Sequence, residues 1–416
     1  MEDYLRIDID NNLSLESKRR EIQKSKYGVS ENRARLLPQI SAVAGYSNNF
    51  DPPVSVTDGS SYGVPYNITQ TLQHSANAGL EMQMPLFNQT LYTSMSIAKV
   101  MEEISRLSYG KAREDVILQI SKMYYLGQVT AEQIMLIKAN ITRLEELRDI
   151  TQAFFDNGMS MEVDLKRVNI NLENLKVQYD NAQAMMKQQL NMLKYIMDYP
   201  AEKEIALTPV NTDSITTVAL TGLSENIYEL QLSQSQVQLA ERQKKIITNG
   251  YIPSLSLTGS WRYAAYTDKG YHWFHSGPSN QWFRSYGVGL TLRIPIFDGL
   301  DKTYKIKKAM IDIENKRLAW EDARKNLQTQ YLNAVNDLMN KQRNFKKQKD
   351  NYLLAEDVYA VTSDRYREGI ASMTEVLQDE MQMSEAQNNY ISAHYNYRVT
   401  NLMLLKLTGQ IESLVK

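Results

Sequence analysis

SYGVGLTLRIPIFDGL, residues 285–300, carries two kinds of order side by side. Up to Phe297 the residues alternate: Tyr286, Val288, Leu290, Leu292, Ile294 and Ile296 oppose Ser285, Gly287, Gly289, Thr291, Arg293 and Pro295. A period of two places successive side chains on opposite faces, so residues 285–297 are expected to form a two-faced strand that breaks at Pro295. After Asp298-Gly299 the period becomes seven, with Ile306, Ile313, Trp320 and Leu327 on one line and Tyr331, Leu338, Phe345, Tyr352, Tyr359 and Tyr366 on a second. That repeat belongs to a packed, supercoiled helix. No proline lies between Leu300 and Arg365, so the helix can run for about 65 residues, or roughly 100 Å. It ends at Tyr366-Arg367-Glu368-Gly369, where glycine suits a left-handed helix stop, and restarts at Ser372 with Glu375 three residues on, an N-cap with a capping box. The chain turns back on itself at Gly369.

Composition narrows the function classes. The 416 residues carry 47 Lys and Arg against 48 Asp and Glu, a net charge of −1 that gives no sign of a nucleic-acid partner. The absence of Cys removes disulfides, thiol catalysis and Cys-based zinc sites. No run of about 18 apolar residues is present, which excludes a membrane-spanning helix but not a β-barrel, whose alternating strands leave no hydropathy signal. The chain opens Met1-Glu2-Asp3-Tyr4 without a basic, apolar leader. Taken alone this reads as a cytoplasmic protein; the alternative expectation is a processed or truncated form, which the rest of the sequence has to decide.

The same order of elements occurs twice. A helix is expected over residues 11–35, then a strand over 39–48 with Ile40, Ala42, Ala44 and Tyr46 on one side, and a polar loop over 49–74. A second strand follows over 75–87, where Ala76, Ala78, Leu80, Met82, Met84 and Leu86 oppose Ser75, Asn77, Gly79, Glu81, Gln83 and Pro85. A proline-free helix runs from Asn88 to Phe155, stops at Asp156-Asn157-Gly158, and returns from Met161 to Met197. Residues 200–223 read as a connector. The second pass has a helix from Ser224 to Asn249, strands over 254–266 and 285–297, an intervening loop over 267–284, and a helix pair over 299–409. Asn11 matches Asn226, Pro38 matches Pro253, Pro85-Leu86-Phe87 matches Pro295-Ile296-Phe297, and Gly158 matches Gly369. The offset stays between about 210 and 215, the mark of a two-fold repeat. The expected division is a first repeat over 1–199, including the helix pair 88–198, a connector over 200–223, and a second repeat over 224–416.

Each half thus supplies two strands long enough to cross a bilayer when tilted. Four strands cannot close a barrel and lipid tolerates no open edge, so other copies of the chain would complete the sheet. Three copies would give twelve strands and a lumen wide enough for water, with polar faces inward and apolar faces toward lipid. Tyr46, Tyr263, Tyr266, Tyr271, Trp273, Trp282 and Tyr286 cluster near the strand ends, where an interfacial aromatic girdle belongs. Amphipathic strands also suit a soluble two-layer sheet, and long heptad helices suit a soluble coiled-coil scaffold or adaptor. The coupling of each strand pair to such helices favours the barrel.

The strand ends Met84-Pro85-Leu86-Phe87 and Arg293-Ile294-Pro295-Ile296-Phe297-Asp298-Gly299, the entry Leu36-Leu37-Pro38-Gln39-Ile40, the glycine-centred turns, and the closing run 386–409 with Tyr390, Ala393, Tyr395, Tyr397 and Leu404 resemble the TolC-like outer-membrane efflux protein family. The resemblance covers about Asp3 to Gly409. It implies a mainly α-helical fold with a membrane β-barrel: a homotrimer whose twelve-stranded barrel in the outer membrane of a Gram-negative bacterium continues into a helical tunnel through the periplasm. Residues 199–223 and the chain ends would form an equatorial belt. The implied function is the exit duct of a tripartite efflux or secretion pump, with a periplasmic adaptor and an inner-membrane transporter as partners. Export of small toxic molecules is the family's more frequent role.

The resemblance also implies sites. The turn segments Asn157, Gly158, Met159 and Ser160 and Glu368, Gly369, Ile370 and Ala371 would contact the adaptor, although helix-stop geometry alone accounts for their glycines. A gate of inward acidic residues would map to Glu375. At the next acidic position this chain has Gln378, with Asp379 beside it on a different face; Ala371 stands where a basic residue can occur, whereas Asp164 and Tyr366 match the pattern. Glu375 also fits a plain capping-box carboxylate. His272 and His275 are three apart, a spacing that could hold a metal but that suits an aromatic surface loop better. Gly287 and Gly289 suit small lumen-facing positions rather than a phosphate loop, since no helix start with Lys-Ser/Thr follows. No catalytic triad, carboxylate pair or nucleotide fingerprint appears, so neither an enzyme nor a cofactor is expected.

Overall fold

The two proline-free stretches become the two longest helices. The computed structural model describes residues 12–51, 54–58, 66–70, 72–208, 222–267 and 282–415. In order these hold α1 (Leu13–Ala34), β1 (Gln39–Asn48), β2 (Val54–Asp58), β3 (Tyr66–Gln70), β4 (His74–Phe87), α2 (Gln89–Asp156), α3 (Glu162–Met197), α4 (Tyr228–Asn249), β5 (Ser254–Thr267), β6 (Trp282–Arg293), α5 (Asp301–Arg367) and α6 (Met373–Leu407), then a short 3-10 turn over Ile411–Leu414. Helices α2 and α5 span 68 and 67 residues. Side-chain caps hold several of the helix starts. Asn88 Oδ1 accepts the Thr90 and Leu91 N–H groups at 3.0 and 3.3 Å. Asn12 Oδ1 accepts the Leu15 N–H at 3.0 Å, while its Nδ2 donates to the Ile196 carbonyl at 2.6 Å and ties the start of α1 to the end of α3.

Three expectations need correction. The strand placed at 285–297 is β6, which starts earlier, at Trp282, and ends at Arg293 opposite Ser254. Pro295 has no N–H for the ladder and restricts Ile294 before it, so pairing stops there. Residues 49–74, read as a polar loop, contain β2 and β3, which pair antiparallel from Val54–Gln70 to Asp58–Tyr66. The alternation Val54-Ser55-Val56-Thr57 is short but β-branched, and pairing rewards it where the surrounding Pro and Gly had masked it. The fourth helix begins at Tyr228 rather than Ser224, whose hydroxyl instead accepts the Asn226 N–H in a turn.

The described chain falls into two compact units, and each takes segments from both halves of the sequence. The unit of residues 23–103 and 235–316 holds the main sheet, antiparallel in the order β1-β4-β5-β6. Its register aligns the two faces across all four strands. Ile40, Met82, Gly259 and Val288 share a row, as do Ala42, Leu80, Trp261 and Tyr286. The alternate rows are Gln39, Gln83, Thr258 and Gly289, then Ser41, Glu81, Ser260 and Gly287. Arg262 pairs with Glu81 on this polar face. Of the expected aromatic girdle, Tyr46 lies in a row with Ala76 and Ala265 on the apolar face, whereas Tyr266 pairs with Ser75 and lies on the polar one. Tyr271 and Trp273 lie outside the described residues.

The other unit, built on residues 1–22, 104–234 and 317–416, turns the heptad lines inward from Trp320 onward, with Trp320, Phe345 and Tyr352 half-buried. Leu327, Tyr331, Leu338, Tyr359 and Tyr366 are all buried. One core gathers Leu15, Ile117, Ile120, Leu193, Leu404 and Ile411, and a second gathers Leu144, Leu147, Val168, Leu172, Val376 and Met383.

In the sheet, Gly79 sits where a Cβ would lie 2.3 Å from the Trp261 carbonyl oxygen and 2.8 Å from Arg262 Cα, both backbone atoms that cannot rotate away. Gly79→Ala is therefore expected to cost about 1–3 kcal/mol by overpacking, read as a lower thermal midpoint of the folded protein in detergent. An unchanged midpoint would show that the strands can separate at no cost.

Candidate functional site

The two chain reversals are the same turn built twice, 211 positions apart. Gly158 and Gly369 both take left-handed backbone, with φ of 73° and 74°. At the first, the Gly158 N–H bonds the Phe155 carbonyl at 2.9 Å and the Met159 N–H reaches back to Phe154 at 2.8 Å. At the second, the Gly369 N–H bonds the Tyr366 carbonyl at 2.9 Å and the Ile370 N–H reaches Arg365 at 2.8 Å. Each is a Schellman stop that satisfies the last helical carbonyls. The next helices start from extended Met161 and Ser372, with φ of −87° at both, but only Ser372 supplies a side-chain cap, accepting the Glu375 N–H at 3.3 Å. Asn157, Gly158, Met159, Glu368, Gly369 and Ile370 are exposed, and Ser160 and Ala371 are half-buried. Met159 and Ile370, equivalent positions of the two turns, are apolar and 67% and 63% exposed.

The same offset makes Asp164 the counterpart of Glu375. Asp164 is half-buried and held by Arg167 at 3.2 Å, and Arg167 also donates to Thr374 Oγ1 at 3.4 Å, linking α3 to α6. Glu375 and Gln378 are exposed and Asp379 is half-exposed. Asp379 lies one helical turn beyond Glu375, so these two carboxylates share a stripe on α6. Tyr366 differs from the other sequence candidates. It is buried, its ring 5.7 Å from that of Phe154 and its hydroxyl 3.3 Å from Thr151 Oγ1, so it packs between α2 and α5.

Several polar groups that no local pattern announced lie above the turns. Asn140 Nδ2 donates to Gln387 Oε1 at 2.7 Å within the core. Arg143 reaches Glu356 at 3.2 Å and Asn140 Oδ1 at 2.5 Å, with its guanidinium 6.0 Å from the Tyr359 ring centre. Glu380, directly after Asp379, points the other way and is 5% exposed, with Oε1 lacking a hydrogen bond. Burial raises its carboxyl above the ordinary 4.5, with Arg143 opposing. Higher on the same helix Tyr390 donates to Glu132 at 2.9 Å, and burial together with that carboxylate pushes its phenol far above the usual range. Phe345 stacks on Tyr390 and Tyr397, with centroids 5.8 Å apart in both pairs. Among the described residues no cluster of three or more His, Cys, Asp or Glu could hold a metal. His272 and His275 lie outside the described residues. The arrangement offers exposed apolar turns, carboxylates near them, and a polar-cored helical wall.

The family model described as outer membrane efflux protein matches residues 8–197 and 219–410. Outer membrane protein TolC of Vibrio cholerae serotype O1 is 20% identical over 399 residues, covering 92% of this chain and 84% of its own. The probable efflux pump outer membrane protein TtgC of Pseudomonas putida is 23% identical over 379 residues, covering 86% of this chain and 75% of its own. Among solved structures, CusC superimposes with a TM-score of 0.80 at 16% identity, covering 98% of this chain and 92% of its own.

A raised carboxyl binds its proton more tightly folded than unfolded, so its stabilising contribution is complete below the ordinary 4.5 and is lost as pH rises through the folded value. Glu380→Gln keeps the shape and removes the charge. Its denaturation midpoint is expected to exceed that of the parent at about pH 8 and to converge with it near pH 4; an equal offset at both would mean that the Glu380 charge carries no burial cost.

Proposed function

The chain belongs to the outer membrane efflux protein family, and from that premise we propose that three copies form an outer-membrane channel serving as the exit duct of a tripartite efflux pump. The observation that carries this reading is the pair of open sheet edges bounding a continuous apolar face. Strand β6 is exposed at every residue, including Tyr286 and Val288 at 79%, Leu290 at 67% and Leu292 at 60%. A soluble scaffold leaves that face and both edges without a role. In a bilayer the apolar face meets lipid, and β6 of one copy pairs with β1 of the next, so that every backbone donor and acceptor is satisfied within a closed ring. Strands β4 and β5, with 14 residues each, exceed the roughly 9–11 needed to span when tilted. Twelve strands leave a water-filled lumen lined by Gln83, Thr258, Ser260 and the Glu81–Arg262 pair.

The helices of each copy then continue the duct into the periplasm. The proposed division is a first repeat over 1–199, an equatorial connector over 200–223, of which 209–221 lie outside the described residues, and a second repeat over 224–416. The family match in two stretches, 8–197 and 219–410, supports a two-fold organisation, and Thr208 docks on α2 through Tyr124 at 2.7 Å and Gln128 at 2.7 Å. The turns at Gly158 and Gly369, with Met159 and Ile370 exposed beside them, are the contacts for a periplasmic adaptor, which links the duct to an inner-membrane transporter. Glu375 and Asp379, together with Asp164, Gln378 and the packed Tyr366, form the gate at this end; three copies place a ring of carboxylates there, which favours cations. The similarity to a named efflux pump component supports efflux, with small toxic molecules as the proposed cargo.

Light scattering in mild detergent is expected to give the mass of three chains, and planar bilayers to give a conducting, cation-preferring pore. Leu290→Arg places a charge on the lipid face at a cost of about 2–4 kcal/mol near the midplane and is expected to block insertion, while Thr291→Arg on the polar face inserts normally. A soluble monomer, or equal insertion of the two variants, would overturn the barrel. Glu375→Gln is expected to move the reversal potential toward zero in a salt gradient; an unmoved potential would remove Glu375 from the gate.

A further inference from the structure

We propose that a cleft between α2, α4, α5 and α6 is a binding site for a small organic amine with an apolar body, whose ammonium is received by the carboxylate of Glu114. The cleft encloses about 360 Å³, within the range of roughly 300–1,000 Å³ typical of ligand pockets. Leu118, Ile227, Leu327, Ala334, Met403 and Leu407 form its apolar wall. All of these lie in the unit of residues 104–234 and 317–416. Glu114 lines the cleft and is 4% exposed, and among the described residues no hydrogen bond reaches its carboxyl.

The surrounding charges explain why the group stands alone. On α2, Lys111 is engaged by Glu229 of α4 at 3.1 Å, and Asp115 by Lys406 of α6 at 2.5 Å. Arg113 pairs with Glu412, beyond α6, at 2.6 Å. Asp337 of α5 lines the cleft as well, and the Tyr228 phenol at the start of α4 is raised by burial and by Glu412 and Glu114. Each nearby cation already has a carboxylate, and the remaining groups are acidic. A buried carboxyl with no partner is costly in its charged form. Burial, opposed by Lys406 and reinforced by Glu412 and Asp115, raises Glu114 from 4.5 to about 7.

The chemistry of the lining selects the ligand. The lining sets Glu114, Glu229 and Asp337 against Lys111 and Lys406, and with each lysine already paired to a carboxylate the excess charge left for a ligand is negative, which disfavours anions. A divalent metal needs about six oxygen ligands, and among the described residues no cluster of three or more His, Asp or Glu supplies them. A protonated amine offers up to three donors to the carboxylate while its hydrocarbon body covers Leu118 and Met403. Binding requires the ionised carboxylate, so below about pH 7 the ammonium must displace a proton, and affinity falls by up to about tenfold per pH unit.

The full chain in mild detergent is titrated with 1-naphthylmethylamine and with the neutral 1-naphthylmethanol, following naphthyl anisotropy. One saturable site per chain is expected, with the amine at least about tenfold tighter than the alcohol at pH 8 and the preference shrinking as pH falls toward 5.5. Glu114→Gln is expected to abolish the preference without changing alcohol binding, and Leu118→Trp, which fills the cleft, to weaken both. Equal binding of amine and alcohol, absence of a saturable site, or an amine preference retained in Glu114→Gln would overturn the proposal. None of these outcomes depends on whether the chain conducts ions.

Discussion

A row of backbone N–H and C=O groups without partners is a liability in water and is not tolerated in hydrocarbon. Among the described residues, strands β1 and β6 each lack a neighbour on one side in the sheet order β1-β4-β5-β6, and the rest of the sheet is consistent with its closure. The register carries an apolar row from Ala42 through Leu80 and Trp261 to Tyr286, so that one whole face is ready for lipid once the edges are paired. Gly79 lets the Trp261 and Arg262 backbone approach closely, and Pro295 ends the ladder where α5 must begin. Arg284 lies in the same row as Ala78 and Tyr263, with its guanidinium 6.0 Å from the Tyr286 ring centre, as suits a cation at a membrane boundary.

The helical unit is governed by a different constraint, the need to reverse long helices without orphaning their terminal carbonyls. The chain uses one solution twice: a left-handed glycine with two backward hydrogen bonds, followed by an extended residue that opens the next helix. The geometry repeats while the side chains diverge. Ser372 caps where Met161 cannot, and Asp164 is held by Arg167 where Glu375 is left in solvent. If the turns meet an adaptor as proposed, this divergence gives it two related but unequal surfaces, each built around an exposed apolar side chain.

Between these helices the core is more polar than a heptad pattern implies. Asn140 and Gln387 satisfy each other, and Tyr390 and Glu132 form a second pair. Glu380 and Glu114 do not share that arrangement, since both are buried and raised. Glu380 is closed in between packed helices, whereas Glu114 opens on a cleft. That difference in access leaves Glu114, and not Glu380, within reach of a ligand.

The periodicities that define this protein were legible without coordinates. A period of two, a period of seven, proline-free spans and two matched glycine stops depend on the geometry of consecutive residues, so the sequence alone determined the strands, the long helices, the reversals and the repeat. Where it erred, local signals conflicted: alternation ran on past Pro295 although pairing could not, and the short β-branched run from Val54 was hidden among loop formers. The exposed members of the proposed gate and tips were also within reach, because they lie next to the glycine stops. The inward orientation of Tyr366, the unpaired state of Glu380 and the cleft at Glu114 were not. Glu114 owes its raised affinity for a proton to burial and, against the opposing charge of Lys406, to Glu412, nearly three hundred positions away. Only tertiary packing decided these features, because desolvation and charge pairing depend on neighbours in space, and no periodicity along the chain records which neighbours those will be.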